Sequence, residues 1–128
     1  MSAWRTFLMA IIAIALCGCA ALQGEPDPAS AGQPGAQSLI AGIRYYEDGK
    51  YNEARKALQM SLSRGLSDRD QVRAHKYLAF IHCVSEDEAK CRSHFSMALA
   101  INPAFSLAPA ESGHPIWGPA FRSVKDQR

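Results

Sequence analysis

A degenerate internal repeat places the strongest constraint on the fold of this chain. Small residues, a turn and apolar residues recur in the same order in two segments. The first copy is marked by Gly42, Tyr45, Gly49, Tyr51, Ala54 and Leu58, and the second by Leu78, Ala79, Cys91, Phe95 and Ala98. Small side chains let two helices approach closely, and apolar side chains at helical spacing fill the space beside them. The pattern predicts two stacked helical hairpins.

The spacings are similar to those of the tetratricopeptide repeat, a helix-turn-helix unit. Residues 49–54 carry the predicted turn of the first hairpin. We expect the small residues Gly42, Ala54, Ala79 and Cys91 between the two helices of a hairpin, and Leu58, Leu62, Phe95 and Leu99 between the hairpins. Gly65 and Asn102 are expected to end helices, and Ser67 and Ser85 to cap them.

The C-terminal residues predict a further helix that covers the second hairpin. Two repeats alone leave an apolar face bare, because stacked repeats need capping elements. Trp117, Phe121 and Val124 lie at positions i, i+4 and i+7, on one face of a helix that begins at Pro115 or Pro119. The expected fold of residues 38–125 is therefore all-α, with two tetratricopeptide-like hairpins and a C-terminal capping helix.

Residues 1–18 have the organisation of a secretion signal, with one basic residue, an apolar run over residues 7–16 and a small-residue exit. The run is much shorter than the roughly 20 apolar residues of a membrane-spanning helix. Leu16-Cys17-Gly18-Cys19 resembles the processing site of bacterial lipoproteins. Cys19 fits as the lipid acceptor because a small residue precedes it, whereas Cys17 follows the bulky Leu16. An unlipidated secreted protein is the alternative.

A lipid on Cys19 would anchor the chain to a membrane. Ala20 follows the cysteine where lipoproteins of the inner membrane usually have aspartate, so the resemblance implies the periplasmic face of the outer membrane. Residues 19–37 consist mostly of Ala, Gly, Pro, Gln and Ser and predict a lipidated N-terminus followed by a flexible linker.

Cys83 and Cys91 flank the predicted turn of the second hairpin. In an exported protein, two such cysteines are expected to form a disulfide. Counting along an ideal repeat places them nearly one helical turn out of register, so we expect a local adjustment. Two buried thiols and a zinc site with His82 and His94 are the alternatives, although Cys-x7-Cys is not a usual zinc-ligand spacing. We expect no metal and no cofactor.

The second repeat and the tail resemble the TssQ-type lipoproteins that accompany type VI secretion systems. The resemblance rests on residues 74–81 with Cys83, on Cys91-Arg92 with Phe95, Ala98 and Leu99, on residues 103–107, and on Glu-x-x-His-Pro-x-Trp-Gly-Pro at 111–119. The tail motif, with Glu111, His114, Pro115 and Trp117, is its most specific part. The resemblance implies an accessory periplasmic lipoprotein whose partner is an envelope component of the secretion apparatus. A general envelope lipoprotein that recruits or regulates a cell-wall enzyme is the alternative.

The titratable residues do not predict an enzyme. No nucleophile or third ligand accompanies Glu111 and His114, so we expect them to form local hydrogen bonds before Trp117. His75, His82 and His94 are expected to be scattered on helices, without a role as a pH switch. The formal net charge is +2, with basic and acidic residues interleaved, which does not favour nucleic-acid binding.

Binding of a protein partner is the favoured function. In stacked hairpins of this kind, the first helix of each hairpin lines a concave surface. The positions expected to face it are Leu39, Ile43, Tyr46, Arg73, Lys76 and Phe80. Such a mixed apolar and basic groove suits a peptide that carries an acidic group. The alternative is that Tyr46 and Phe80 are core residues and that the two cations are ordinary surface charges.

Overall fold

The structure is a computed structural model that describes residues 32–128. The described residues form six helices and no strand: α1 Ala36–Glu47, α2 Tyr51–Arg64, α3 Asp68–Val84, α4 Glu88–Ile101, α5 Pro109–Ser112 and α6 Trp117–Asp126. The prediction of an all-α fold is confirmed. The predicted signal peptide, the lipidation site Cys19 and the predicted linker up to residue 31 lie outside the described residues.

The first hairpin is α1 packed against α2. Gly49 adopts a positive φ of 73°, which a residue without Cβ tolerates, and the Lys50 N–H donates to the carbonyl of Tyr45 to close the turn. Gly42 lies against Leu58, and a Cβ added at Gly42 would be 2.7 Å from the Leu58 Cγ. The close approach of the two helices therefore depends on this glycine, as the repeat pattern predicts.

The linker ends earlier than the sequence predicts. The helix α1 begins at Ala36, inside the segment that composition assigned to the linker. The Gly35 N–H donates to the carbonyl of Gly65, and the Gln33 side chain accepts from the Ser67 N–H at 2.7 Å. These contacts with the α2–α3 connection fix the chain before α1, and composition alone does not reveal them.

The second hairpin is α3 packed against α4, with a disulfide between Cys83 and Cys91 at their joined ends. The two Cα atoms are 5.0 Å apart, within the usual disulfide range. The register offset expected from an ideal repeat does not keep the two cysteines apart. The cap of α4 also differs from the prediction: the Asp87 side chain accepts from the Lys90 N–H, while Ser85 ends α3.

The predicted cap of α3 is present. Ser67 precedes the helix, and its hydroxyl accepts from the Asp70 N–H at 3.3 Å. Gly65 ends α2 and Asn102 ends α4, as expected.

The core consists of two neighbouring clusters. One joins the first hairpin to α3 through Leu39, Ala54, Leu58, Ala74, Leu78 and Ile81, with Leu62 packed beside it. The other joins the second hairpin to the tail through Ala79, Phe80, Cys83, Cys91, Phe95, Leu99, Leu107, Phe121 and Val124. Phe95 and Leu99, which were expected between the hairpins, lie instead in the cluster with the tail, because Leu107, Phe121 and Val124 pack against them.

The helix α6 covers the second hairpin, as predicted, and packs on α4 and α3. The Phe121 ring lies edge-on to Phe95 at 5.2 Å and to Phe105 at 5.5 Å between ring centroids. The helix begins at Trp117, which is neither of the two predicted starts. The Gly118 N–H already donates to the carbonyl of His114, and Pro119 is tolerated because it lies in the first turn.

Candidate protein-binding surface

The structure places two of the six predicted groove residues in the core. Leu39 and Phe80 are each 2% exposed, so neither side chain is available to a partner. Ile43 is half-buried against the first core cluster. The reason is that α1 packs directly against α3 and that the tail lies over Phe80. The alternative interpretation of Phe80 as a core residue is therefore correct.

A continuous row of aromatic rings occupies the place of the predicted groove. We call it the aromatic row, and its members are Tyr51, Tyr46, Tyr77, Phe80, Trp117 and His114. Successive ring centroids lie 5.7 Å apart for Tyr51 and Tyr46, 5.1 Å for Tyr46 and Tyr77, 6.0 Å for Tyr77 and Phe80, 4.3 Å for Phe80 and Trp117, and 3.3 Å for Trp117 and His114. The row joins both hairpins to the tail, and its three contacts from Tyr51 to Phe80 have distances typical of aromatic pairs, whereas the two contacts of Trp117 are shorter.

The two ends of the aromatic row differ in exposure. At the tail end, Trp117 covers the buried Phe80. At the other end, Tyr51 is 40% exposed and Tyr46 and Tyr77 are half-buried. Within residues 32–128, the hydroxyl groups of these three tyrosines form no hydrogen bond, and no buried polar side-chain atom there lacks a partner. The three hydroxyls therefore face solvent and are available to another molecule.

Burial raises the pKa of two tyrosines of the aromatic row, Tyr46 and Tyr77. Burial raises the pKa of Tyr46 to about 12, with smaller contributions from Tyr51, Tyr77 and Glu111. The pKa of Tyr77 is raised as well, first by burial and then by Glu111 and Glu47. Both hydroxyls can thus donate a hydrogen bond at any pH near neutrality.

The two predicted cations have different surroundings. Arg73 lies at the surface, with 44% of its side chain exposed, and pairs with Asp70 at 3.1 Å. The Lys76 Nζ donates to Glu111 Oε1 at 2.7 Å, and both side chains are largely buried. The same ammonium group lies 4.8 Å from the Tyr77 ring centroid and 5.7 Å from that of Phe80. Arg73 is therefore the cation that a partner can reach, and Lys76 holds the tail against α3.

The tail motif forms the local hydrogen bonds that the sequence predicts. Glu111 accepts from the Ala108 N–H through Oε2, and its carbonyl accepts from Trp117 Nε1 at 2.9 Å. His114 Nδ1 accepts from the Ile116 N–H across Pro115. These bonds orient Trp117 onto Phe80, so the motif has a structural role.

Sequence reasoning missed an open cavity of about 530 Å³ between the α3–α4 turn and α6. Its walls include the apolar Ile116 and Pro119 and the charged Glu88 and Arg92. Ile116 is half-exposed. The only signal in the sequence is the apolar Ile116 between Pro115 and Pro119, which does not by itself indicate a surface position.

The structure also brings together three histidines that the sequence predicts to be scattered, because His75 and His82 on α3 meet His94 on α4. Within residues 32–128, no group of three or more His, Cys, Asp or Glu is arranged to hold a metal ion.

Comparison of the chain with protein-family models, curated proteins and solved structures gave no match. In the part of the chain that the structure describes, no helix has the length and apolar character needed to cross a membrane.

Proposed function

We propose that this chain is a non-enzymatic lipoprotein, anchored by Cys19 at the periplasmic face of the outer membrane, that binds a protein component of a type VI secretion system. The observation that carries the binding role is the exposed end of the aromatic row. Tyr51, Tyr46 and Tyr77 offer apolar rings and unpartnered hydroxyls on one surface. Tyrosine is favoured in protein interfaces because one rigid side chain combines both properties.

The architecture supports this proposal. Two packed tetratricopeptide-like hairpins hold the exposed end of the aromatic row in place. The residues of that surface are tyrosines, which suit binding. A disulfide and a packed tail stabilise the small domain further, which suits a protein outside the cytoplasm. The secretion-system assignment rests on the sequence resemblance in the second repeat and the tail.

The second candidate function is a general envelope lipoprotein that recruits or regulates a cell-wall enzyme. The same surface would serve it, so the geometry does not favour one partner over the other. The identity of the protein that binds the aromatic row distinguishes the two functions.

The test is co-purification of envelope proteins with the full-length, lipidated protein after detergent extraction. Tyr51→Ala removes the most exposed ring of the row, and Tyr45→Ala is the matched control, because Tyr45 is 37% exposed and makes no ring contact within residues 32–128. We expect Tyr51→Ala and Arg73→Glu to reduce recovery of a secretion-system component, and Tyr45→Ala to leave it unchanged.

Arg73 is reversed without Lys76 because the two cations have different surroundings. Reversal of Lys76 would also break its ion pair with Glu111 and loosen the tail, which would confuse binding with folding. Equal recovery from all variants would contradict the assignment of the surface. Recovery of a cell-wall enzyme instead of a secretion component would support the second candidate.

A further inference from the structure

Three imidazole rings meet at the contact between α3 and α4. His75 Nδ1 and His94 Nδ1 are 3.0 Å apart, a hydrogen-bond distance. The His82 ring stacks on the His94 ring, with 5.4 Å between centroids and 12° between planes. His94 therefore touches both histidines of α3, and a change in its charge acts directly on the contact between the two helices.

The geometry of the His75–His94 pair fits a shared proton. The ring centroids are 5.2 Å apart, which is near the largest separation that two imidazoles can have with 3.0 Å between nitrogens. The two Nδ1 atoms therefore point at each other along one line. A zinc ion would need the two lone pairs to converge on a point beside that line. The pair thus forms an N–H···N hydrogen bond, with one proton between the rings.

The number of protons determines whether this bond exists. In the neutral pair, one Nδ1 carries the shared proton and the other accepts it. One added proton binds the outer Nε2 of the donor ring and leaves the hydrogen bond intact, with a single positive charge on the pair. A second added proton must occupy the accepting Nδ1. Two N–H groups and two positive charges then face each other, so the contact becomes repulsive.

The charged groups around the three rings do not offset this repulsion. Asp87, in the α3–α4 turn, has Oδ2 3.6 Å from His82 Nδ1, but the same oxygen pairs with Lys90 of α4 at 3.0 Å. Lys90 and, from α2, Arg55 are the cations whose charges act on the cluster. Burial is the largest cause that lowers the pKa of His75, of His82 and of His94, the last to about 4.

We propose that His75 and His94, with His82 stacked on His94, form an acid-sensitive contact that holds α3 to α4 with up to one added proton and separates with two. The Cys83–Cys91 disulfide still joins the helices at one end, so acid loosens the second hairpin without detaching its helices.

The sign of the effect follows from the lowered pKa values. The folded protein binds fewer protons at these histidines than the unfolded chain, so their contribution to stability is complete above a pH of about 6.5 and decreases as the pH falls. The pKa of His94 is 6.5 in the unfolded chain and about 4 in the folded protein. This difference corresponds to a roughly 30-fold fall in the folding equilibrium constant between pH 7.5 and pH 5.

The test compares urea unfolding of the purified, oxidised protein at pH 7.5 and pH 5. We expect His94→Gln to lose much less stability on acidification than the wild type, and His114→Gln, which changes the fourth histidine of the chain, to lose as much as the wild type. His75→Gln provides the same test if His94→Gln does not fold. An equal loss in the wild type and in the pair variants would overturn the proposal.

A second measurement reads the hydrogen bond directly. In protein labelled with ¹⁵N-histidine, we expect a through-bond ¹⁵N–¹⁵N coupling between His75 Nδ1 and His94 Nδ1 at pH 7.5 that disappears in acid. Independent titration of both rings near pH 6.5, with no coupling at any pH, would also overturn the proposal.

Discussion

Replacement of Trp117 by alanine tests whether the tail holds the second hairpin closed. The Trp117 ring stacks on Phe80 with 4.3 Å between centroids, and its Nε1 donates to the Glu111 carbonyl at 2.9 Å. The His114 ring also lies parallel to the Trp117 ring. Removal of the Trp117 side chain uncovers Phe80 and leaves the ion pair between Lys76 and Glu111 to hold the tail against α3.

The expected magnitude follows from these contacts. Replacement of a fully buried Trp by Ala costs about 3 to 5 kcal/mol. Trp117 is only partly buried, so we expect the lower end, about 3 kcal/mol of unfolding free energy. For a domain of this size, each kcal/mol corresponds to about 4 to 8 °C in Tm, which gives a decrease of about 12 to 24 °C.

The assay is urea and thermal unfolding followed by far-UV circular dichroism at pH 7.5. Trp117→Phe is the matched control, since it keeps a ring on Phe80 but loses the hydrogen bond and part of the contact area, at a cost of about 1 to 2 kcal/mol. Tyr45→Ala, at an exposed ring outside the aromatic row, is expected to change stability by less than about 0.5 kcal/mol. A loss below about 1 kcal/mol in Trp117→Ala would refute the role assigned to the tail.

Three further changes have definite expected outcomes. Replacement of both Cys83 and Cys91 by Ala should lower the unfolding free energy by about 2 to 3 kcal/mol, because the enclosed loop is short; two free thiols in the oxidised wild type would contradict this. Gly42→Ala should lower the unfolding free energy by about 1 to 3 kcal/mol, because the added Cβ would overlap Leu58. An unchanged urea midpoint would show that α1 and α2 can move apart at no cost in stability. Cys19→Ser should move the protein from the membrane to the soluble fraction in cell fractionation. A diacylated peptide that begins at Cys17 would show that Cys17, and not Cys19, accepts the lipid.

Local sequence patterns predicted the hairpins because their causes are local. Gly42, Ala54 and Leu58 fall at spacings typical of a helical hairpin, and Gly49 and Gly65 mark the turns where helices end. The capping helix was predictable for a similar reason. An apolar stripe such as Phe121 and Val124 at the end of a repeat array must cover the last hairpin.

The candidate site was harder to predict because its contacts join distant parts of the chain. Lys76 lies on α3 and Glu111 in the tail, 35 residues later, so no spacing indicates their ion pair. The repeat pattern assigns Phe80 to a concave surface, but that pattern contains no information on whether a tail covers it. Similarly, His75 and His94 meet only because of the rotation of α3 against α4. Composition alone could not reveal that Gln33 and Gly35 pack onto the α2–α3 connection.

Site-specific photo-crosslinking in living cells tests the central claim, that the exposed end of the aromatic row binds a protein of the secretion apparatus, most directly. A benzophenone amino acid replaces Tyr51 in one strain and Tyr45 in another, two exposed positions that differ in their place relative to the row. The account predicts a crosslink from position 51, but not from position 45, to a protein identified by mass spectrometry as an envelope component of the type VI secretion system. The absence of a crosslink from position 51, or the same adducts from both positions, would contradict it.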